Sequence, residues 1–114
     1  MDRLPTELWV SAHIRKCTAK GIPVYVAHKG APAAGTVIVR IVIKGLKGGE
    51  GSKVLTQSRD MEGNIGWMDP FDSEIVDEPR ADQYIQKAIA RDPDVWVIEV
   101  EDASGANPFE GKIL

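Results

Sequence analysis

Between Ala81 and Asp102 the hydrophobic period of the chain changes from that of a helix to that of a strand, across the stop Arg91-Asp92-Pro93-Asp94. Ala81, Tyr84, Ile85, Ala88 and Ile89 recur at i, i+3, i+4, i+7 and i+8, which is the single apolar stripe of an amphipathic helix. Asp77 and Pro79 supply a cap and a first turn for it, and Pro93 forbids its continuation. Trp96, Ile98 and Val100 then share one face of a strand, with Val97, Glu99 and Glu101 mainly on the other. A helix followed at once by a strand allows a crossover onto a sheet laid down earlier in the chain, and the earlier segments supply one.

From Thr6 to Lys20 there is no proline or glycine, Pro5 precedes the segment and Gly21 closes it, so a first helix is expected. At about 100° per residue it carries two apolar clusters. Leu8, Ala12 and Ala19 lie together with Trp9 beside them, while Val10, Ile14 and Cys17 lie on another side. One stripe suffices for packing on a sheet, so the second implies either deep burial of the helix or a partner chain, and on the latter reading Val10, Ile14 and Cys17 are interface candidates for a homodimer. Strand character follows at Ile22–Lys29, Thr36–Lys44, Ser52–Arg59 and Ile65–Met68, separated by turn-rich or glycine-rich stretches. Val37, Val39, Ile41 and Ile43 alternate with Ile38, Arg40 and Val42 in the clearest period of two in the chain. The glycines of Gly45–Gly51 read as a mobile hairpin tip.

The order is helix, four strands, helix, strand. It predicts an α+β domain over residues 1–114, with one mainly antiparallel sheet of about five strands and both helices on one face. The segment 103–114 is expected to be irregular and loosely held.

The 114 residues suit one domain, and 43% hydrophobic with 27% charged residues is the balance of an ordinary folded protein. The net charge of −3 argues against nucleic-acid binding by bulk charge, leaving only a local patch of Arg3, Arg15, Lys16 and Lys20 to test. No apolar run approaches the roughly 20 residues of a membrane span, no secretory signal opens the chain, and the lone Cys17 suits a reducing compartment. A cytoplasmic protein is expected.

His13 and Cys17, at i and i+4, do not amount to a metal site, because His28 is the only other imidazole and a closed zinc site needs about four ligands. Gly45–Lys53 does not match a phosphate-cradling loop, which ends in Gly-Lys-Ser/Thr and opens a helix. The acidic run Asp69, Asp72, Glu74, Asp77 and Glu78 reads as a solvated surface. Arg40, mid-strand among apolar residues, needs a carboxylate partner, for which Glu99 is the candidate. Alternatively Arg40 joins Arg15 and His28 in receiving an anion. Trp67, on a short strand near loops, could equally cap the core or serve as a further ligand or partner anchor. No catalytic set, metal or cofactor is expected.

Leu8-Trp9-Val10-Ser11-Ala12 with Arg15-Lys16-Cys17 and Gly21, the glycines Gly30 and Gly35 before Thr36-Val37-Ile38-Val39, and Tyr84-Ile85 with Arg91-Asp92-Pro93-Asp94-Val95-Trp96-Val97-Ile98-Glu99-Val100-Glu101-Asp102 cover most of the chain. In these blocks the sequence resembles an uncharacterised bacterial family, mostly alphaproteobacterial, known as domain of unknown function 1491. Members of that family often carry an acidic residue after the first of these glycines, where this chain has Ala31-Pro32. The resemblance implies a small cytoplasmic domain and transfers no catalytic residue. The leading reading is a non-enzymatic binding or protein-interaction domain, and the alternative is a small enzyme or sensor that binds an anionic metabolite near Arg40, Arg15 and His28.

Overall fold

The computed structural model describes residues 4–46 and 49–114. The elements run α1 (Thr6–Ala19), β1 (Val24–His28), β2 (Val37–Leu46), β3 (Gly49–Arg59), β4 (Ile65–Met68), α2 (Glu78–Arg91), β5 (Trp96–Glu101) and β6 (Lys112–Ile113). Lys47 and Gly48, at the expected hairpin tip, and Arg3 lie outside the described residues. The fold is α+β, with the expected order of two helices and five strands followed by one strand more.

The sheet has six strands in the order β1-β5-β2-β3-β4-β6 and is mixed, not mainly antiparallel. After α2 the chain re-enters as β5 between β1 and β2, parallel to β2 from Val37↔Trp96 to Val42↔Glu101 and antiparallel to β1. A strand inserted there must run parallel to one neighbour, because β1 and β2 themselves point in opposite directions. The sixth strand, β6, pairs parallel to β4 through only two residues, too few to leave a period in the sequence.

The helices lie on opposite faces, which corrects the expectation that both share one. Val37, Val39, Ile41 and Ile43 of β2 join Leu55, Ile98 and Val100 in a core with Trp9, Val10 and Cys17 of α1. The alternate residue Ile38, with Val54 and Val97, forms a second core with Ala81 and Ile85 of α2. The near-continuous apolar run of β2 is what a strand covered on both sides requires. Asp77 caps α2 by accepting from the Arg80 amide at 3.0 Å, as the sequence indicates.

Because β5 fills the gap between β1 and β2, the loop joining those strands must arch over the start of β5. Trp96 at that start donates its indole N–H to the Ala31 carbonyl at 2.8 Å, and the Ala31 amide donates to the Asp94 carbonyl at 2.9 Å. Gly30 and Gly35 make this approach feasible, since a Cβ would fall 2.1 Å and 2.2 Å from the Asp94 carbonyl oxygen. The same loop caps α1, whose first turn has no side-chain cap. The Glu7 and Thr6 amides donate to the Pro32 and Ala33 carbonyls at 2.9 and 3.3 Å.

The segment after Asp102 is not a loose tail. Phe109 is buried in the core beside α1, and the Leu114 amide donates to the Trp67 carbonyl at 2.8 Å. Residues 107–113 form a strap across the α1 face of the sheet. Gly30→Ala is expected to destabilise the protein by about 3 kcal/mol in urea unfolding, since backbone must move to admit the methyl group. Gly63→Ala, where a Cβ meets nothing within 4 Å but φ is +85°, should cost about 1 kcal/mol.

Candidate functional site

The side chains singled out from the sequence do not form one site. Arg40 is buried and engaged from within the chain. Its Nε donates to Ser52 Oγ at 3.1 Å, one terminal nitrogen pairs with Asp82, and the other lies 4.0 Å from Glu78. Both carboxylates come from α2, which packs on the face that Arg40 points to. Glu99 stands opposite Arg40 in the β2–β5 register but hydrogen-bonds Tyr25, whose phenol it holds above its ordinary value. The expected Arg40–Glu99 pair is therefore replaced by Arg40–Asp82. Arg15 is exposed on α1, across the sheet from Arg40, and His28 donates its Nδ1–H to the Val95 carbonyl at 2.8 Å. An anion site uniting Arg40, Arg15 and His28 is not assembled.

Trp67 is fully buried, and its indole N–H donates to the Glu110 carbonyl at 2.9 Å, so it anchors the strap and offers no surface to a ligand. Val10 and Cys17 are likewise in the core, with Ile14 packed against it. Pairing two copies through these three side chains would require opening that core. Burial raises the Cys17 thiol above its ordinary value, which is the environment of an inert thiol. The apolar side chains that α1 turns outward are instead Leu8, Ala12 and Ala19.

The feature that sequence reasoning missed is a groove of about 760 Å³ between the first turns of α1, the β3–β4 hairpin and the strap. Trp9, Gln57, Arg59, Glu62, Asn64 and Glu110 line it. Trp9 donates its indole N–H to Glu110 Oε1 at 3.0 Å and stacks at 3.9 Å on His13, one helical turn on. The His13 ring is fixed from its other side, where Nδ1–H donates to the Trp9 carbonyl at 2.8 Å. Its Nε2 lies 3.4 Å from Glu110 Oε1 and is buried without a hydrogen-bond partner. Phe109 meets both rings edge-on. Glu110 is thereby held in place at one wall. Arg59 is held at the other, donating to the Gly63 carbonyl at 2.8 Å. The i, i+4 spacing of Trp9 and His13 is the one signal of this cluster that the sequence carries.

Among the described residues, no group of three or more His, Cys, Asp and Glu side chains is placed to hold a metal ion. The acidic residues read as a solvated surface have specific local partners. Asp69 accepts from the Phe71 amide, Asp77 caps α2, and Glu78 faces Arg40 on one side and Glu50 on another.

The family model for proteins of unknown function DUF1491 matches residues 4–110, nearly the whole chain. The chain belongs to the DUF1491 family. Its fold is similar to the crystal structure of a DUF1491 family protein from Caulobacter crescentus, with a TM-score of 0.83 and 32% identity over 98% of this chain and 100% of that one. A solution structure of a DUF1491 family protein from the same organism gives a TM-score of 0.80 and 32% identity, covering 100% and 99% of the two chains. A solution structure of a protein from A. tumefaciens gives 0.69 and 26%, covering 89% and 87%. No curated protein matches the chain. The DUF1491 blocks noted in the sequence coincide with the structural junction of loop, α1 and β5, and of their residues Trp9 also lines the groove.

Two outcomes check these assignments. Val10→Glu should destabilise the protein by about 4 kcal/mol in urea unfolding by burying an unpaired charge, whereas Leu8→Glu should leave the unfolding midpoint unchanged within error. The second concerns pH. Glu50 hydrogen-bonds Glu78 and adds its own charge, and together these hold the Glu78 carboxyl above its ordinary value, with Arg40 pulling the other way. The folded protein therefore binds this proton more tightly than the unfolded chain, and the contribution of Glu78 to stability declines as pH rises through the carboxylate range. Glu50→Gln removes the cause, so it should melt above wild type at pH 7 and show a smaller decline between pH 4 and pH 7 in thermal scans. Losing the exposed Lys44–Glu50 contact at 3.7 Å should cost little.

Proposed function

We propose that this DUF1491 protein is a non-catalytic binding domain of the bacterial cytoplasm, and that its groove receives an extended segment of a partner protein. The observation that carries the reading is the lining. Gln57 and Asn64 offer amide donors and acceptors that suit a peptide backbone, while Arg59, Glu62 and Glu110 offer both signs of charge to its side chains. Leu4, at the same groove and 61% exposed, provides an apolar contact at the rim. Trp9 and Glu110 are fixed by their own hydrogen bond, so little ordering cost falls on the domain when a segment docks.

The chemistry of the remaining side chains supports binding over catalysis. The one thiol is inside the core, and the one imidazole near the groove is sealed between Trp9 and Phe109. Among the described residues no helix is long and apolar enough to cross a membrane, and a single unpaired thiol suits reducing surroundings.

Selection of displayed peptides on the purified protein, followed by NMR mapping, tests the reading. Enriched peptides should shift the amides of Gln57, Arg59, Asn64 and Gly111. Gln57→Ala combined with Asn64→Ala should weaken them by about tenfold, as expected for loss of roughly 1.4 kcal/mol of polar contacts. Absence of enrichment, or shifts confined to the α2 face, would overturn it.

A further inference from the structure

A second cavity, of about 290 Å³, lies on the other side of the strap from the groove. Lys53 of β3 and Lys112 of β6 both line it, and neither forms an ion pair among the described residues, whereas Lys29 and Lys44 do. Asn107 and Ser73 complete its polar lining together with Asp69. The Asn107 amide is oriented by its own turn. Its Oδ1 accepts from the Phe109 amide at 3.0 Å, which leaves Nδ2 as a buried donor with no hydrogen-bond partner among the described residues. A buried donor in that condition is destabilising. Ser73, at the cavity, is held at φ 68°, a left-handed conformation that serine rarely adopts. Of the one acidic group present, Asp69, an oxygen is already taken by the Phe71 amide at 2.9 Å.

We propose that this cavity binds the phosphate group of a small phosphorylated metabolite. The side chains at the cavity supply two ammonium groups and a hydroxyl against one partly committed carboxylate, with the Asn107 amide buried just behind them. A phosphate monoester offers three acceptor oxygens and close to two negative charges, which matches two lysines acting as point charges. A carboxylate, with two oxygens and one charge, leaves part of this set unused. The ligand is small, because the volume lies at the lower end of the roughly 300–1,000 Å³ of small-molecule pockets. It is not a nucleotide, because no aromatic side chain lines the cavity to stack on a base. The site is independent of the groove in its polar side chains, although Gly111 of the strap borders both.

An NMR titration of the full chain with glycerol 3-phosphate, inorganic phosphate, succinate and sodium chloride at matched ionic strength tests the proposal. Glycerol 3-phosphate should give saturable shifts of the Asn107 side-chain amide and of the Gly105 and Gly111 backbone amides. Lys53→Gln and Lys112→Gln should each weaken binding by about tenfold, with melting temperatures unchanged in the absence of ligand. Inorganic phosphate binding as tightly as the ester would show that free phosphate is the occupant and overturn the metabolite. Equal binding of succinate would overturn the preference for phosphate. Shifts that rise linearly and match those of chloride, or that persist in both lysine variants, would overturn the site itself.

Discussion

The structure depends on one clasp, in which the Gly30–Gly35 loop closes over Trp96 at the start of β5. Five hydrogen bonds converge there. The Trp96 indole and the Ala31 amide tie the loop to β5, the Trp96 amide donates to the Thr36 carbonyl at 2.7 Å, and two amides of α1 end on the Pro32 and Ala33 carbonyls. The Thr6 hydroxyl adds a sixth tie to the Gly35 carbonyl at 3.0 Å. A strand arriving late in the chain is thereby locked between two that precede it, and the helix that opens the fold is aimed by the same loop. Pairings so distant in sequence carry a large loop-closure cost, and a specific, fully hydrogen-bonded junction is one way to offset it.

The clasp also accounts for the family blocks. The glycines are small because two carbonyls and an indole occupy the space where their side chains would stand. Arg91–Val95 turns the chain from α2 into β5, with Asp92 accepting from the Asp94 amide at 3.1 Å to hold the corner. These are requirements of construction, so the residues that mark the family leave its function unstated. An acidic residue after the first glycine is likewise dispensable to the clasp, since Ala31 takes part through its backbone alone.

How much of this was legible in the sequence varies with the range of the interaction. The α2 stripe, its Asp77 cap and the alternation of β2 and β5 are set by neighbours within a few residues, and they fold as read. The placement of the helices is present in the sequence although a stripe on each helix does not reveal it: Ile38 and Val42 make both faces of β2 apolar, which demands cover on both sides. On α1 the two apolar clusters were separable but not rankable, because the deciding partners, Phe109 and the far strands, lie elsewhere in the chain. The place of Arg40 among apolar residues demands a carboxylate, yet a helix and a neighbouring strand can each supply one, and α2 does so through Asp82. The groove and the smaller cavity draw on three or more distant segments apiece, so no local pattern could announce them.

The strap is the element through which these two depressions exist at all. Phe109 inserts beside Trp9 and His13, Trp67 holds the Glu110 carbonyl, and Gly111 passes the Trp67 indole at φ 113°, where a Cβ would fall 2.8 Å from its nitrogen. These contacts fix a short, largely irregular segment on the α1 face, where Phe109 packs between Trp9 of the helix and Trp67 of β4. One edge of the segment then becomes a wall of the groove and the other a wall of the cavity. An irregular segment presents side chains on both edges without a sheet or helix period to constrain which, and so Glu110 can serve one side while Asn107 and Lys112 serve the other. The regular elements of this fold are spent on holding one another. The surface variety left for recognition lies in the segment whose sequence shows the least pattern.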